Sequence, residues 1–575
     1  MWRLRNSFKA NLRPRLIKLY GDQQLDRIFE RLALIAGRYN YLEKTCTTAV
    51  PCWDEKSCLL ITYGDMITAA GEPPLSTLHR FLKDYLEDII TGVHILPFFP
   101  SSSDEGFSVI DYRAVDPQLG TWDDIKLLGE DFHLMVDLVL NHVSSRSQWF
   151  QDYIGNVAPA RDYFIKIEPK TDLSAVVRPR ITPLLTQVTT AHGESSVWTT
   201  FSSDQIDLNY SNIDVLLEMI DILLGYISYG AVIIRLDAIA YLWKDINTQC
   251  VNLPETHEVV KLLRDVVDNF TQGVMLLTET NVPQDENYSY FGNGDEAHMI
   301  YQFCLPPLIL YTIQAGSSRQ LCKWATELTP PPEGCSFLNF TASHDGIGVR
   351  PLEGLLEEGE IEQLAQTIRN CGGFVNCRSG ENGKEIPYEL NITYFDALKD
   401  ISRPDDLLWQ VRRFLCSQLI MLCLRGIPAI YFHSLTASQN NNEGVSKTGE
   451  NRAINRYRWQ NQELRDLLEN PTSTTARVFD IYTDILTKRS LYPAFHPDTP
   501  QEIVPSPDSF FVVLRTPEDD DPITCLNNVT REKQQIKLSS LSSALDDRGS
   551  AWDIIVEKEV GETIELEPYQ CSWLI

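Results

Sequence analysis

The sequence predicts an α/β fold, a closed (β/α)8 TIM barrel, on three observations. A short apolar run followed by a longer amphipathic stretch recurs eight times. The runs are continuous in apolar character, as strands covered on both faces must be. The 575 residues exceed the roughly 250 of one barrel, leaving room for inserted lids after strands 3 and 7 and a C-terminal antiparallel β domain.

The elements follow in order. Residues 1–55 read as a helical lead-in, with the clearest helical pattern over 26–36 and a loop-like stretch over 45–53. The eight apolar runs are 59–63, 93–99, 134–140, 231–236, 274–277, 299–305, 336–340 and 427–432. Between them, 75–90 sets Leu78, Phe81, Leu82, Tyr85 and Leu86 on one helix side, and 213–227, 259–270 and 409–424 behave alike. A doubly wound sheet would need a Gly-rich phosphate loop after its first strand, and none follows 59–65. The barrel is therefore expected over 56–141, 212–345 and 403–490, with insertions over 142–211 and 346–402; excursions of that length often carry function. Beyond 490, short runs at 509–514, 535–538, 552–556 and 563–566 predict the β domain of 491–575.

Composition narrows the function. A net charge of −29 argues against a nucleic-acid or anionic-membrane binder, both of which need a basic face. Any anionic ligand must then be met by a local cluster of Arg and Lys. No apolar run approaches a membrane span. The first residues, Met-Trp-Arg-Leu-Arg-Asn-Ser-Phe, lack an apolar core, so no secretory signal is expected and a cytoplasmic location is. Thirteen cysteines are scattered. The group Cys46, Cys52, Cys58 and the pair Cys371, Cys377 lack zinc-ribbon spacing and read as reduced thiols.

Barrel enzymes carry chemistry where strands end. The third run leads into Asn141-His142, the fourth into Arg235-Leu-Asp237, the fifth into Thr278-Glu279 and the seventh into Ser343-His344-Asp345. Each piece alone is ordinary: an Arg-x-Asp is usually a surface ion pair and a lone histidine usually a cap. As an ordered set they suit glycosyl transfer with retention, in which paired carboxylates roughly 5–5.5 Å apart act as nucleophile and general acid/base. Asp237 is the expected nucleophile, with Arg235 on the same strand face expected to lower its pKa. Glu279, without an adjacent cation, suits the group that must stay protonated. Asp345, His344 and His142 would bind sugar hydroxyls and stabilise the oxocarbenium-like state.

These four regions, Asp137-Leu-Val-Leu-Asn-His142, Ile234-Arg-Leu-Asp237, Leu277-Thr-Glu279 and Ser343-His-Asp345, resemble glycoside hydrolase family 13, the alpha-amylase clan. Within it the chain is most similar to the sucrose phosphorylase group, through Leu59-Ile-Thr-Tyr-Gly-Asp65, His94-Ile-Leu-Pro-Phe-Phe99, His344-Asp-Gly-Ile-Gly348 and Asn451-Arg-Ala-Ile-Asn-Arg456. The resemblance covers about 58–490. It implies a donor glucose subsite of Asp104, Phe107, His142, Arg235, His344, Asp345 and Arg452, with Asp104 and Arg452 closing the pocket to longer chains. It implies a phosphate role for Arg180 and Tyr388, and a guanidinium can hold that anion bidentately. It implies no cofactor and no catalytic metal, and as partners only a small-molecule sugar substrate and inorganic phosphate, for a monomer or homodimer.

Two departures separate the chain from sucrose phosphorylases: the long lead-in, and Glu389 where those enzymes carry Gln. Together with Tyr388-Glu-Leu-Asn391 and 178–186 they look more like the glucosylglycerate phosphorylase branch. Its acceptor carries a carboxylate, for which Arg350 is the candidate cation. Glu389 beside a phosphate site must be paired, protonated or bonded to acceptor hydroxyls; the sequence leaves these open. The alternatives are a sucrose phosphorylase, a related alpha-glucosidase or transglucosidase, and a non-catalytic clan member; the last is disfavoured because Asp237, Glu279 and Asp345 are all present.

Overall fold

The computed structural model describes residues 4–41, 53–180, 182–379, 385–541 and 549–575. Each of the eight apolar runs forms a strand: β1 Leu59–Thr62, β2 Gly92–Ile95, β3 His133–Val139, β4 Ala231–Asp237, β5 Met275–Thr278, β6 Met299–Tyr301, β7 Ser336–Phe340 and β8 Ile427–Tyr431. They close into one parallel barrel in sequence order, sealed by the pairing of β1 with both β2 and β8. Apolar side chains cover both faces, so Leu60, Val93, Met135, Ile234, Leu276, Met299 and Leu338 are all buried. That is why the strands read as unbroken apolar runs rather than as alternation.

The lead-in holds two helices, α1 Asn6–Tyr20 and α2 Leu25–Arg38. The first gives the weaker sequence signal, because its basic residues and Pro14 hide a stripe of Phe8, Leu12 and Leu16, which is buried. The pair lies on the outer side of two barrel helices, α3 Ile213–Ser228 and α4 Pro254–Phe270. Phe8 meets Phe270 edge-on at 4.8 Å, Arg15 bonds Asp265 at 2.7 Å, and Arg31 and Arg38 bond Asp214 and Asp221 at 2.6 Å. The basic character of this segment is thus answered by acidic residues of the barrel. The expected loop over 45–53 and Cys46 and Cys52 lie outside the described residues, apart from Trp53.

The excursion after β3 carries strands Leu185–Thr190 and Gly193–Trp198 and the short strands His142–Ser144 and Gln205–Asp207, which pair with each other. The one after β7 carries a hairpin of Phe374–Ser379 and Glu385–Asn391, whose second strand also pairs Gly348 with Glu389. The C-terminal region is antiparallel as expected, with the stretch 552–556 ending as strand at Asp553 and four strands missed, Gln501–Ile503, Ile523–Asn528, Lys558–Gly561 and Cys571–Leu574. Of these, Ile523–Asn528 is buried throughout and includes Asn527 and Asn528, polar residues that mask it. Its Cys525 and the Cys416 and Cys423 of α5, Leu407–Cys423, are free and buried at the seam between sheet and barrel. Among the described residues no helix is long and apolar enough to cross a membrane.

Candidate active site

Asp137 on β3 and Arg235 on β4 are register partners, as are Val139 and Asp237. Two-residue periodicity then puts Arg235 and Asp237 on one face of β4. Nη1 of Arg235 bonds Asp237 Oδ1 at 2.8 Å and also reaches Asp137 Oδ1. Asp137 in turn takes His94 Nε2 at 2.7 Å. Burial alone would raise the Asp137 pKa, but Arg235 and His94 hold it down at about 2. Glu279 is the first residue beyond β5, and its N–H donates to Leu236 O at 3.1 Å. Ala238 turns sharply after Asp237, at φ 51°, and donates its N–H to Glu279 Oε2 at 3.0 Å. Two carboxyls are thereby tied to adjacent residues of one turn.

Twelve of the thirteen residues singled out in the sequence line one cavity of about 1140 Å³, measured to its open mouth. Phe107 stacks on the His344 ring at 4.8 Å and 5°, and the Arg235 guanidinium lies 5.6 Å from the Phe107 ring. His142 is buried and its Nε2 lies 2.9 Å from the Phe107 carbonyl. Burial lowers both imidazoles, His344 to about 3, so each is neutral near pH 7. Arg180 and Tyr388 enter from the two excursions. Arg350 is the residue outside the wall; it stands within electrostatic reach of Tyr241 and Tyr388, which are in it.

Arg452 resolves the place of Glu389. It donates from Nε and Nη2 to the two Glu389 oxygens at 2.8 and 3.1 Å, and its Nη1 pairs with Asp345. Burial would raise both carboxyls, but the guanidinium holds each of them low, Asp345 well below the carboxylate range. Glu389 is therefore paired and ionised. It also accepts the Gly346 N–H at 3.1 Å. Asp104 is held low in the same way, burial being overcome by Arg452, Arg456 and Arg180.

The expectation for Asp237 needs correction. Its pKa is raised, not lowered: burial pushes it up, and Glu279, Asp137 and Asp345 add to that, against Arg235. Arg235 loses leverage because Asp137 shares the same Nη1. Glu279 is raised too, first by burial and then by Asp345. Since the charge on Glu279 adds to the rise of Asp237, the two carboxyls titrate together. An anion on Asp237 keeps the Arg235 bond, whereas one on Glu279 has only the Ala238 N–H. The Arg235 bond thus favours the anion on Asp237 over one on Glu279, the division that attack by the first and protonation by the second would need.

Several contributors were not singled out from sequence. Asp137 and His94 pair only through strand register. Lys244 buries its ammonium between Asp207 Oδ2 at 2.6 Å and Asn141 Oδ1 at 2.7 Å, bracing the loop of His142. Arg456 donates to the His344 carbonyl at 2.9 Å. A lysine seven residues beyond Asp237 leaves no local signal of such a role.

The model of the alpha-amylase catalytic domain matches residues 82–329. A glucosylglycerate phosphorylase from Allomeiothermus silvanus is 45% identical over 95% of this chain and 96% of its own. A sucrose phosphorylase from Agrobacterium vitis is 32% identical over 77% of this chain and 89% of its own. Among solved structures, a sucrose 6F-phosphate phosphorylase from Thermoanaerobacter thermosaccharolyticum superposes with a TM-score of 0.72 at 28% identity, covering 83% of this chain and 94% of that one.

Proposed function

Because the chain belongs to the alpha-amylase family, we propose that it is a retaining glycoside phosphorylase, a glucosylglycerate phosphorylase. It converts 2-O-α-D-glucosyl-D-glycerate plus phosphate to α-D-glucose 1-phosphate plus D-glycerate, as a hexosyltransferase. Similarity to glucosylglycerate phosphorylase spans nearly the whole chain, whereas similarity to sucrose phosphorylase is lower and shorter.

In this reading Asp237 attacks the anomeric carbon and Glu279 protonates the departing glycerate oxygen. The glucosyl unit is then held on Asp237 as an ester. Phosphate enters, Glu279 takes its proton, and the phosphate oxygen displaces Asp237 with overall retention. Asp345, Arg235 and the neutral His142 and His344 hold the sugar while positive charge develops at its ring. Asp104 and Arg452 close the far end, so a single glucosyl unit fits.

The observation that carries the phosphorylase reading is the state of Arg180. Arg235 and Arg452 are each neutralised by carboxylates, but among the described residues the Arg180 guanidinium makes no ion pair. It sits with Tyr388 in a wall that otherwise repels anions, so it supplies the attraction phosphate needs. Arg350, likewise without an ion pair among the described residues, extends positive potential toward an acceptor carboxylate. The same reading makes the enzyme cytoplasmic and a monomer or homodimer, with phosphate and small sugars as its partners; the free state of every described cysteine supports a reducing compartment.

The test is phosphate release from α-glucose 1-phosphate with D-glycerate, D-fructose, glycerol or water as sole acceptor. Release much faster with D-glycerate is expected. Preference for fructose would make the chain a long sucrose phosphorylase.

A further inference from the structure

The donor-side residues Asp104 and Phe107 sit on a loop that does not hold its shape by itself. Asp104 and Glu105 have φ of 52° and 50°, and Gly106 follows at 110°. Two successive non-glycine residues in the left-handed region are strained, and such a turn persists only where its surroundings over-determine it. Gly106 packs so closely on Pro97 that a Cβ there would lie 2.5 Å from the Pro97 carbonyl oxygen, so no other residue fits the third position of the turn.

We infer that Asp204, which lies outside the cavity wall, is the positioning residue that pins this loop and so sets the enzyme's grip on the glucosyl donor. Its Oδ2 accepts from Ser102 and Ser103 at 2.5 Å, just before the strained turn, and from Ser108 at 2.8 Å, just after it. Its Oδ1 accepts from Ser145 at 2.5 Å, beyond His142. The Asp204 carbonyl takes Ser108 Oγ at 3.0 Å and the Ser145 N–H at 2.9 Å. One carboxylate thus ties both ends of the turn to the strand that carries His142. The next residue, Gln205, reaches Asp104 Oδ2 at 3.3 Å. A single acceptor bonded to four hydroxyls is hard to replace, because an amide offers one oxygen in place of two and adds donors where only donors face it. Burial raises the Asp204 pKa, but the serine bonds lower it further, so the anion persists at working pH. On the other flank Arg458 donates from Nη2 to Glu105 Oε2 at 2.8 Å, so the turn is held from both sides.

This rests on the proposed glucosyl-donor reading. The kinetic split separates the two ideas: wild-type enzyme that releases no phosphate from α-glucose 1-phosphate with any acceptor defeats the reading before any variant is made. Given wild-type release, Asp204→Ala and Asp204→Asn are assayed for KM toward α-glucose 1-phosphate, KM toward D-glycerate, use of α-galactose 1-phosphate (which differs at O4 alone) and thermal midpoint. The expected result is a donor KM raised at least tenfold, a glycerate KM within twofold, and weaker discrimination against the galactosyl donor. Folded variants with unchanged donor KM and discrimination overturn the inference. So does a parallel loss of both substrates with a falling thermal midpoint, which is a general structural role. If neither variant folds, Ser103→Ala decides, since it removes one of the four hydroxyls. A donor KM raised two- to threefold at unchanged thermal midpoint supports the pin, and an unchanged donor KM overturns it.

Discussion

Arg452 holds Glu389 through two parallel hydrogen bonds, Nε to Oε1 at 2.8 Å and Nη2 to Oε2 at 3.1 Å, while its Nη1 pairs with Asp345. The Glu389 charge is thus answered by Arg452, with both residues in the cavity wall.

Glu389→Gln keeps the size but removes the charge and one acceptor. A charged hydrogen bond of this kind contributes about 1.5–3 kcal/mol, so kcat/KM should fall roughly ten- to hundredfold. The pair also fixes a pH dependence. The folded pKa of Glu389 is depressed, so its stabilisation is present above the unfolded value of about 4.3 and is lost as pH falls through the folded value. Thermal midpoints of the wild type should drop more steeply below pH ~4 than those of the variant; equal slopes would show that the pair adds nothing.

The carboxyl pair Asp237 and Glu279 should give a bell-shaped pH profile. Both are raised, so the acid limb, where Asp237 loses its proton, lies above the usual carboxylate range. The alkaline limb follows Glu279. Glu279→Gln should abolish the alkaline limb and cut glycerate transfer about 10²- to 10⁴-fold. A variant that keeps both limbs would assign the acid to another group.

Lys244→Met tests the brace behind His142. It leaves Asp207, fully buried, without its cation, and stranding a buried charge costs about 3–5 kcal/mol. Denaturant unfolding should show that loss, and a change below about 1 kcal/mol would mean that the ion pair adds nothing to stability.

Phe8→Ala tests the lead-in. Phe8 is 2% exposed and packs on Phe270, and truncating a buried phenylalanine costs about 3–5 kcal/mol. Since α1 lies against the outside of the barrel, KM for α-glucose 1-phosphate should not move. A changed KM at unchanged stability would place the lead-in in catalysis.

The barrel was legible because its signals are local. A strand covered on both faces is apolar throughout, and the polar residue at its end is adjacent in sequence, so Asp237, Glu279 and the pair His344, Asp345 could be read off the runs they follow. The bounds and buried face of helix α1 were not legible within the helical lead-in, because Pro14 and its basic residues outweigh a narrow apolar stripe whose partner Phe270 lies far along the chain. Its Arg15 becomes intelligible only opposite Asp265.

By itself the sequence determined the closed barrel, the two long excursions and the carboxylates at the strand ends, since each depends on neighbours a few residues apart. Tertiary structure alone decided which charges meet. Asp137 shares the guanidinium of Arg235 because β3 and β4 are in register, and Glu389 pairs with Arg452 because a hairpin folds back over the mouth. It also reversed the expected shift of Asp237, because a pKa follows burial and every charge in reach, and neither is a property of nearby sequence.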